Sequence, residues 1–373
     1  MYVVDLRSDT LTKPTAAMKQ AMVNSALGDD VYREDPTVNL LEAKLSDMLG
    51  KEAALFVPTG TMSNLIALMV HCSVRGAEAF VGNLSHIYKY QVGGAAHLGS
   101  ILLSTFDNHE DGTFDLQELE KRIRGGNNNE PISTVVAIEN SHNVCGGKVL
   151  PLKFISDVAA LCKKHSLSLH MDGARLFNAC EYLKESPGRV VRDCDSISVC
   201  FSKGLSAPVG SALIGSKEFI ENARRIRKML GGGMRQAGVL ASAVLVGLDE
   251  MIPLLHLDHK RARRLGTAIQ NLQLSSFSVD NDIHTNIVLV YICTTSRLVT
   301  SDVVKKLAHD EMQGDSRTAN DEGIVVKAST FGPKILRFTL HKDITDRDVS
   351  LAIKKISNVL RKFDANDRFV AKL

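Results

Sequence analysis

Over the first ~250 residues, short apolar and β-branched runs alternate with segments of helical period, the pattern of a mostly parallel sheet covered by helices on both faces. Strands are predicted at Ala54–Val57, Ala79–Val81, Ile101–Ser104, Thr134–Ile138, Ser168–Met171, Ile197–Cys200 and Ala212–Ile214, each short and bounded by polar residues or glycine. Between them, Val38, Leu41, Leu45 and Leu49 recur at helical spacing before Gly50, and Ile155, Val158, Ala159 and Cys162 do so after Pro151. A helical zone follows from Lys217 to about Met251, interrupted at Gly231–Gly233. The pattern then changes. Thr285–Tyr291 and Ile335–Leu340 read as strands, Val303–Met312 and Val349–Phe363 as helices. The fold class is therefore α/β, with a large mostly parallel domain over residues 1–254, including an N-terminal arm, and a smaller C-terminal α+β domain over 255–373. The run 125–129 is a surface turn.

Composition narrows the function more than the fold. At 373 residues and 44% hydrophobic content the chain can bury a substantial core. Lys plus Arg number 45 against 42 Asp plus Glu, so no electrostatic case exists for a nucleic-acid partner, and the substrate is expected to be a small molecule. Seven scattered cysteines, none in a CxxC pair, fit a reducing compartment and no zinc site. The N-terminus has no leader pattern, and nowhere do 18 apolar residues run uninterrupted, so a cytoplasmic protein with no membrane partner is expected.

Three features point to chemistry. Lys203 follows the apolar run Ile197–Cys200 inside a Ser/Gly loop, an unusual place for a solvated ammonium. The bland reading is a turn lysine; the functional one is that partial desolvation at the mouth of a sheet favours a free amine able to form an imine with an aldehyde cofactor. About thirty residues upstream by the same reading, the strand Ser168–Met171 ends in Asp172-Gly173. Alone, Asp-Gly is more often a turn; beside Lys203, a carboxylate there would keep a pyridine nitrogen protonated. Third, Phe56–Val57 runs through Thr59, Gly60 and Thr61 into an apolar helix, a strand–turn–helix whose first N–H groups suit a single phosphate and match neither a P-loop nor a dinucleotide fingerprint. A Thr before a helix is otherwise only a cap. A metal hydrolase built on His170 and Asp172 is a poor rival, because no further ligands at metal spacing follow and no metal is expected.

Eight blocks in order, Asp5–Pro14, Gly28–Pro36, Ala54–Met62, Ser85–Ile87, Ile138–Asn143, Met171–Asn178, Ser202–Gly210 and Lys228–Gly238, resemble the low-specificity L-threonine aldolase family of fold-type I pyridoxal-phosphate enzymes. Leu336–Ile344 is similar to that family's closing Arg-containing strand, and the preceding 313–334 stretch is longer than usual. The resemblance implies pyridoxal 5′-phosphate as an imine on Lys203, with Asp172 as partner of the ring nitrogen and Gly60 and Thr61 as phosphate donors. It further implies that His86 stacks on the cofactor ring, and that Ser8, Arg175 and Arg337 hold the substrate carboxylate, a task for which the guanidinium fork is suited. Arg175 and Arg235 are also expected at the cofactor, and Tyr32 and Tyr90 at the substrate. A homotetramer with sites shared across a dimer interface is implied as well. Where the family often carries a Glu, this chain has Gln91, so a charged partner in the block after His86 is not expected.

The implied reaction is retro-aldol cleavage of L-threonine, L-allo-threonine or a related β-hydroxy-α-amino acid to glycine and an aldehyde such as acetaldehyde. His86 and His142 both follow strand ends, and either imidazole could accept the hydroxyl proton. The alternatives are β-elimination or transamination on the same fold, which Lys203 and Asp172 would serve equally, and a non-catalytic protein that keeps the fold.

Overall fold

The computed structural model describes residues 2–125, 127–309 and 323–370. Gly126, the end of the helix expected over Val303–Met312 and the first part of the 313–334 stretch lie outside the described residues. The chain divides into two units: Lys13–Pro253, and Leu254–Leu373 together with Met1–Thr12. The N-terminal segment therefore corrects the expected boundary, which grouped residues 1–254. Strand β1 (Tyr2–Asp5) pairs in parallel with Ile324–Lys327, and Val4 and Leu6 are buried in the C-terminal core. Pairing partners more than 300 residues apart leave no local signal.

The large unit is built on seven strands: β2 (Ala53–Val57), β3 (Ala77–Gly82), β4 (Leu102–Phe106), β5 (Ile132–Glu139), β6 (Ser168–Gly173), β7 (Ser196–Cys200) and β8 (Ser211–Gly215). Their spatial order is β2-β8-β7-β6-β5-β3-β4. Only β8 runs antiparallel to its neighbours, β2 and β7; the remaining pairs are parallel. The strand candidates all appear, with β4 beginning one residue late and β5 extending further at both ends. Burial along β7 and β8 is complete, which is why they read as continuous apolar runs rather than alternating ones.

Local chemistry sets the covering helices. Asp35 caps helix Pro36–Leu49 by accepting from the Thr37 and Val38 amides, Pro36 sits at its first position, and Gly50 ends it at φ 62°. Helix Gly60–His71 and helix Lys217–Met229 share a core with the sheet, through Ile66, Ala67, Phe219, Ile220 and Ala223 against Leu55, Val57 and Leu213. Because β2, β3, β5, β6 and β7 point the same way, the segments after Val57, Gly82, Glu139, Gly173 and Cys200 all emerge at one edge of the sheet. That carboxyl edge is where open α/β sheets bind ligands.

In the C-terminal unit, β9 (Phe277–Val279), β10 (Ile287–Ile292), β12 (Ser329–Thr330) and β13 (Ile335–Thr339) form an antiparallel sheet, while β11 (Ile324–Lys327) pairs with β1. Helices Leu255–Gln270 and Asp346–Val370 cover an apolar core that includes Leu265, Val288, Phe338 and Ile356. Among the described residues no single helix is long and apolar enough to cross a membrane.

Candidate active site

The turn after β2 is shaped for an anion. Thr59, in extended conformation, caps helix Gly60–His71 by accepting from the Met62 amide at 3.1 Å. The N–H groups of Gly60 and Thr61 have no acceptor within the helix and carry its positive dipole end. A side chain at Gly60 would place Cβ 2.5 Å from Cys200 Sγ on β7, so only glycine lets the turn settle this close to the sheet.

Lys203 lies in the loop joining β7 to β8, half-buried. Backbone bonds from Ser206 N to Lys203 O (2.9 Å) and from Ala207 N to Phe201 O (3.0 Å) tighten that loop, and Ser206 adopts φ 60°. Gly210 closes it at φ 116° with the Phe56 ring 2.6 Å from any Cβ, so both conformation and space demand glycine there. On the neighbouring strand Asp172 pairs with Ser198 in register and is 2% exposed. Its Oδ1 accepts from the Ala174 amide at 3.1 Å and its Oδ2 from Asn64 Nδ2 at 2.7 Å. Two donors fix the orientation of this buried carboxylate. The strand end therefore carries an oriented acid, not merely a turn. Arg175, the residue after Ala174, is buried and opens helix Leu176–Leu183.

On the other flank, two loops carry the histidines. Glu139, at the end of β5, is buried and accepts from the His86 amide at 2.7 Å through Oε2 and from the Asn143 amide at 2.8 Å through Oε1. One carboxylate thus ties the loop after β3 to the loop after β5. His86 is half-buried, its ring 5.6 Å from that of Tyr90, and its Nδ1 lies 3.2 Å from the side-chain amide of Gln91. His142 is 1% exposed; its Nδ1 accepts from the Cys145 amide at 3.4 Å, and its Nε2 is buried without a hydrogen-bond partner. Sequence reasoning missed Glu139 and Asn64. A single amide ahead of the apolar Leu65–Val70 run and an acid ending an apolar strand were the available signals.

The remaining expected residues form separate groups. Asp29 accepts from the Tyr32 amide and pairs with Arg235 at 3.1 Å, and the Tyr32 side chain is 71% exposed. In the C-terminal unit, Arg337 on β13 donates to Arg7 O (2.7 Å) and Ser329 Oγ (3.0 Å), with its guanidinium 4.9 Å from the Phe331 ring centroid. Ser8 Oγ accepts from the Thr10 amide and hydroxyl, capping the turn Asp9–Leu11.

The residues at the strand edge fit pyridoxal phosphate. Besides His142 Nε2, the buried hydroxyls of Ser141, Ser206 and Ser211 lack protein partners there, a concentration of unsatisfied polar atoms that a polar ligand would explain. The turn after β2, a lysine in the loop after β7 and an acid at the end of β6 belong to one sheet.

Comparison with known proteins agrees. A family profile described as beta-eliminating lyase matches residues 5–294. Low-specificity L-threonine aldolase 1 of Arabidopsis thaliana is 42% identical over 351 residues, covering 94% of each chain. Low specificity L-threonine aldolase of Escherichia coli K12 is 45% identical over 265 residues, 70% of this chain and 77% of that one. Among solved structures, a Leishmania major threonine aldolase superposes with TM-score 0.76 at 20% identity, over 97% of this chain and 100% of that one, and shows the same fold. The chain belongs to the low-specificity L-threonine aldolase family of pyridoxal-phosphate-dependent lyases.

Proposed function

We infer that this enzyme cleaves L-threonine, L-allo-threonine and related β-hydroxy-α-amino acids to glycine and an aldehyde such as acetaldehyde. The observation that carries this reading is the buried, doubly hydrogen-bonded Asp172 on β6, with Lys203 following the adjacent parallel strand, in a chain whose relatives over nearly its whole length bear that activity in their names. When bound, pyridoxal phosphate supplies the electron sink for the pair released as Cα–Cβ breaks. Lys203 Nζ would carry the cofactor covalently, the Gly60 and Thr61 amides would hold its phosphate, and Asp172 would keep its ring nitrogen protonated. His86 would lie against the ring, and Arg235 would contact the cofactor as well.

Arg175, Arg337 and Ser8 are proposed as anchors of the substrate carboxylate, with Tyr32 and Tyr90 as further pocket contacts. The two imidazoles differ in what meets Nδ1. In His142 that atom accepts a backbone N–H, so the proton of the neutral ring sits on Nε2 and the ring donates. In His86 it faces the side-chain nitrogen of Gln91; when that amide turns its oxygen to the ring, the proton sits on Nδ1 and Nε2 is left able to accept. His86 is therefore assigned to take the β-hydroxyl proton, and His142 to donate to the hydroxyl oxygen.

The exposure of Tyr32, at 71%, and of Tyr90 suits a second copy covering this region, and a homotetramer with shared sites is proposed. Cytosolic threonine degradation that yields glycine is the proposed setting. The test is the absorbance spectrum of the purified protein before and after L-allo-threonine, with glycine and acetaldehyde assayed together. A visible band and both products, all lost in Lys203→Ala, are expected. Ammonia and a ketoacid in place of glycine would instead mark β-elimination.

A further inference from the structure

Behind Asp172, on the side away from its backbone donor, runs a line of buried polar side chains that the reaction as described does not use. Asn64 Nδ2 lies 2.7 Å from Asp172 Oδ2, and Asn64 Oδ1 lies 3.1 Å from His170 Nε2. His170 Nδ1 lies 2.8 Å from Ser196 Oγ, and that hydroxyl lies 2.7 Å from His71 Nε2. Asn64, His170 and Ser196 are buried, and burial pushes the His170 imidazole down to about 3 and the His71 imidazole down to about 4, so both rings are neutral near pH 7.

Neutral rings, and a carboxylate that accepts at both oxygens, leave one proton arrangement. A carboxylate only accepts, so Asn64 must turn its NH₂ to Asp172 and its oxygen to His170. His170 must then carry its proton on Nε2, leaving Nδ1 to accept from the Ser196 hydroxyl. Ser196 in turn accepts from His71 Nε2–H. Every donor in the line points toward Asp172. Such aligned bonds polarise one another and stabilise the negative end. The placement is economical in structure: Asn64 and His71 are seven residues apart on one face of helix Gly60–His71, while His170 and Asp172 alternate on β6. The helix that presents the anion turn at its N-terminus thus also grips Asp172.

We propose that His170, acting through Asn64, is a positioning residue that holds the Asp172 carboxylate oriented toward the cofactor's ring nitrogen. This rests on the assignment of Asp172 to that nitrogen. A buried and a half-buried imidazole in one hydrogen-bonded line serve no packing need that apolar residues would not meet.

The test uses the holoenzyme. ¹⁵N NMR of histidine-labelled protein should show His170 protonated at Nε2 and bare at Nδ1; a proton on Nδ1 instead would overturn the proposal. His170→Phe should lower both kcat and the affinity for pyridoxal phosphate by about 10–100-fold, as the loss of outer supporting partners does, with KM for threonine little changed. His170→Gln, which keeps an N–H toward Asn64, should recover part of both losses, which a purely structural role would not predict. Wild-type cofactor affinity and kcat in His170→Phe would also overturn it. Should that variant fail to fold, Asn64→Ala and the spectrum of the unsubstituted enzyme still decide. Asp172→Asn separates the two levels. If it leaves cofactor affinity and kcat intact, the Asp172 assignment has failed; if it is inactive while His170→Phe behaves as wild type, only the role of His170 has.

Discussion

The two flanks of the candidate site are held by opposite means. On the Asp172 flank, a helix and two central strands enclose the carboxylate; one oxygen accepts from the Ala174 amide, and the other is met by a largely buried line of side-chain donors. On the histidine flank, two loops carry the His86 and His142 rings, one buried carboxylate ties the loops together through backbone amides, and polar atoms of Ser141 and His142 stay without protein partners. The first arrangement fixes one charge in one place, as an electron sink requires. The second leaves groups aimed at something outside the chain, as a substrate pocket requires. Rigidity sits where charge must be constant, and unmet bonding capacity sits where ligands differ.

The largest effect that should expose this contrast is acid lability of the Asp172 flank. His170 and His71 have pKa values in the fold far below the unfolded value of 6.5, so the unfolded chain binds more protons below that pH. The stability they provide is present above pH 6.5 and is lost as pH falls toward about 4 and about 3. Each contributes ~1.4 kcal/mol per pH unit in that window, several kcal/mol in total by pH 4. The C-terminal unit behaves in reverse: burial pushes the Asp258 carboxyl up to about 7, so its contribution is present in acid and fades as pH rises from 3.8 to about 7. Denaturant unfolding at pH 4.5 and 6.5, in the parent and in Asp258→Asn, checks both signs. A steeper loss in acid is expected once Asp258, which offsets the histidines, is removed.

Next in size is the loss of charge itself. Asp172→Asn should lower kcat by about 10²–10³-fold, the scale of removing one preorganised electrostatic group, with a shifted cofactor spectrum. Stopped-flow absorbance of the loaded variant measures both. The histidine flank should be softer and asymmetric: His86→Asn is expected to lower kcat by about 10²-fold, the low end for a proton acceptor, and His142→Asn by less. Equal losses would erase the distinction drawn from their Nδ1 partners.

The smallest expected change sharpens the comparison from the side of stability. Glu139→Gln replaces an acceptor of a backbone amide by an NH₂ group, at a cost of about 1–3 kcal/mol for a buried, charge-assisted pair. Thermal melting should show a drop of several degrees, with cofactor affinity nearly unchanged because the Asp172 flank is untouched. A large loss of cofactor with no change in melting would mean that the two flanks are one cooperative piece.

Much of this protein was legible in its residues. Alternating apolar runs and helical periods located the seven strands of the large sheet, because burial on both faces writes itself into a strand as continuous Val, Ile, Leu and Ala. Glycine and turn chemistry marked Gly60 and Gly210, since both positions exclude any side chain. Lys203 and Asp172 stood out as a pair, because each alone reads more readily as a turn residue while together they suit an imine and a ring nitrogen. What stayed hidden is what depends on partners distant in the chain. Strand β1 belongs to the C-terminal unit through a pairing with residues near 325. Asn64 meets Asp172 across 108 residues, and Glu139 meets His86 across 53. A hydrogen bond is a matter of ångströms and angles, and an amide or carboxylate looks alike in sequence whether it faces water or another side chain. The sequence by itself determined which residue types the edge of the sheet presents; only the tertiary structure decided which of them hold one another, and in which direction their protons point.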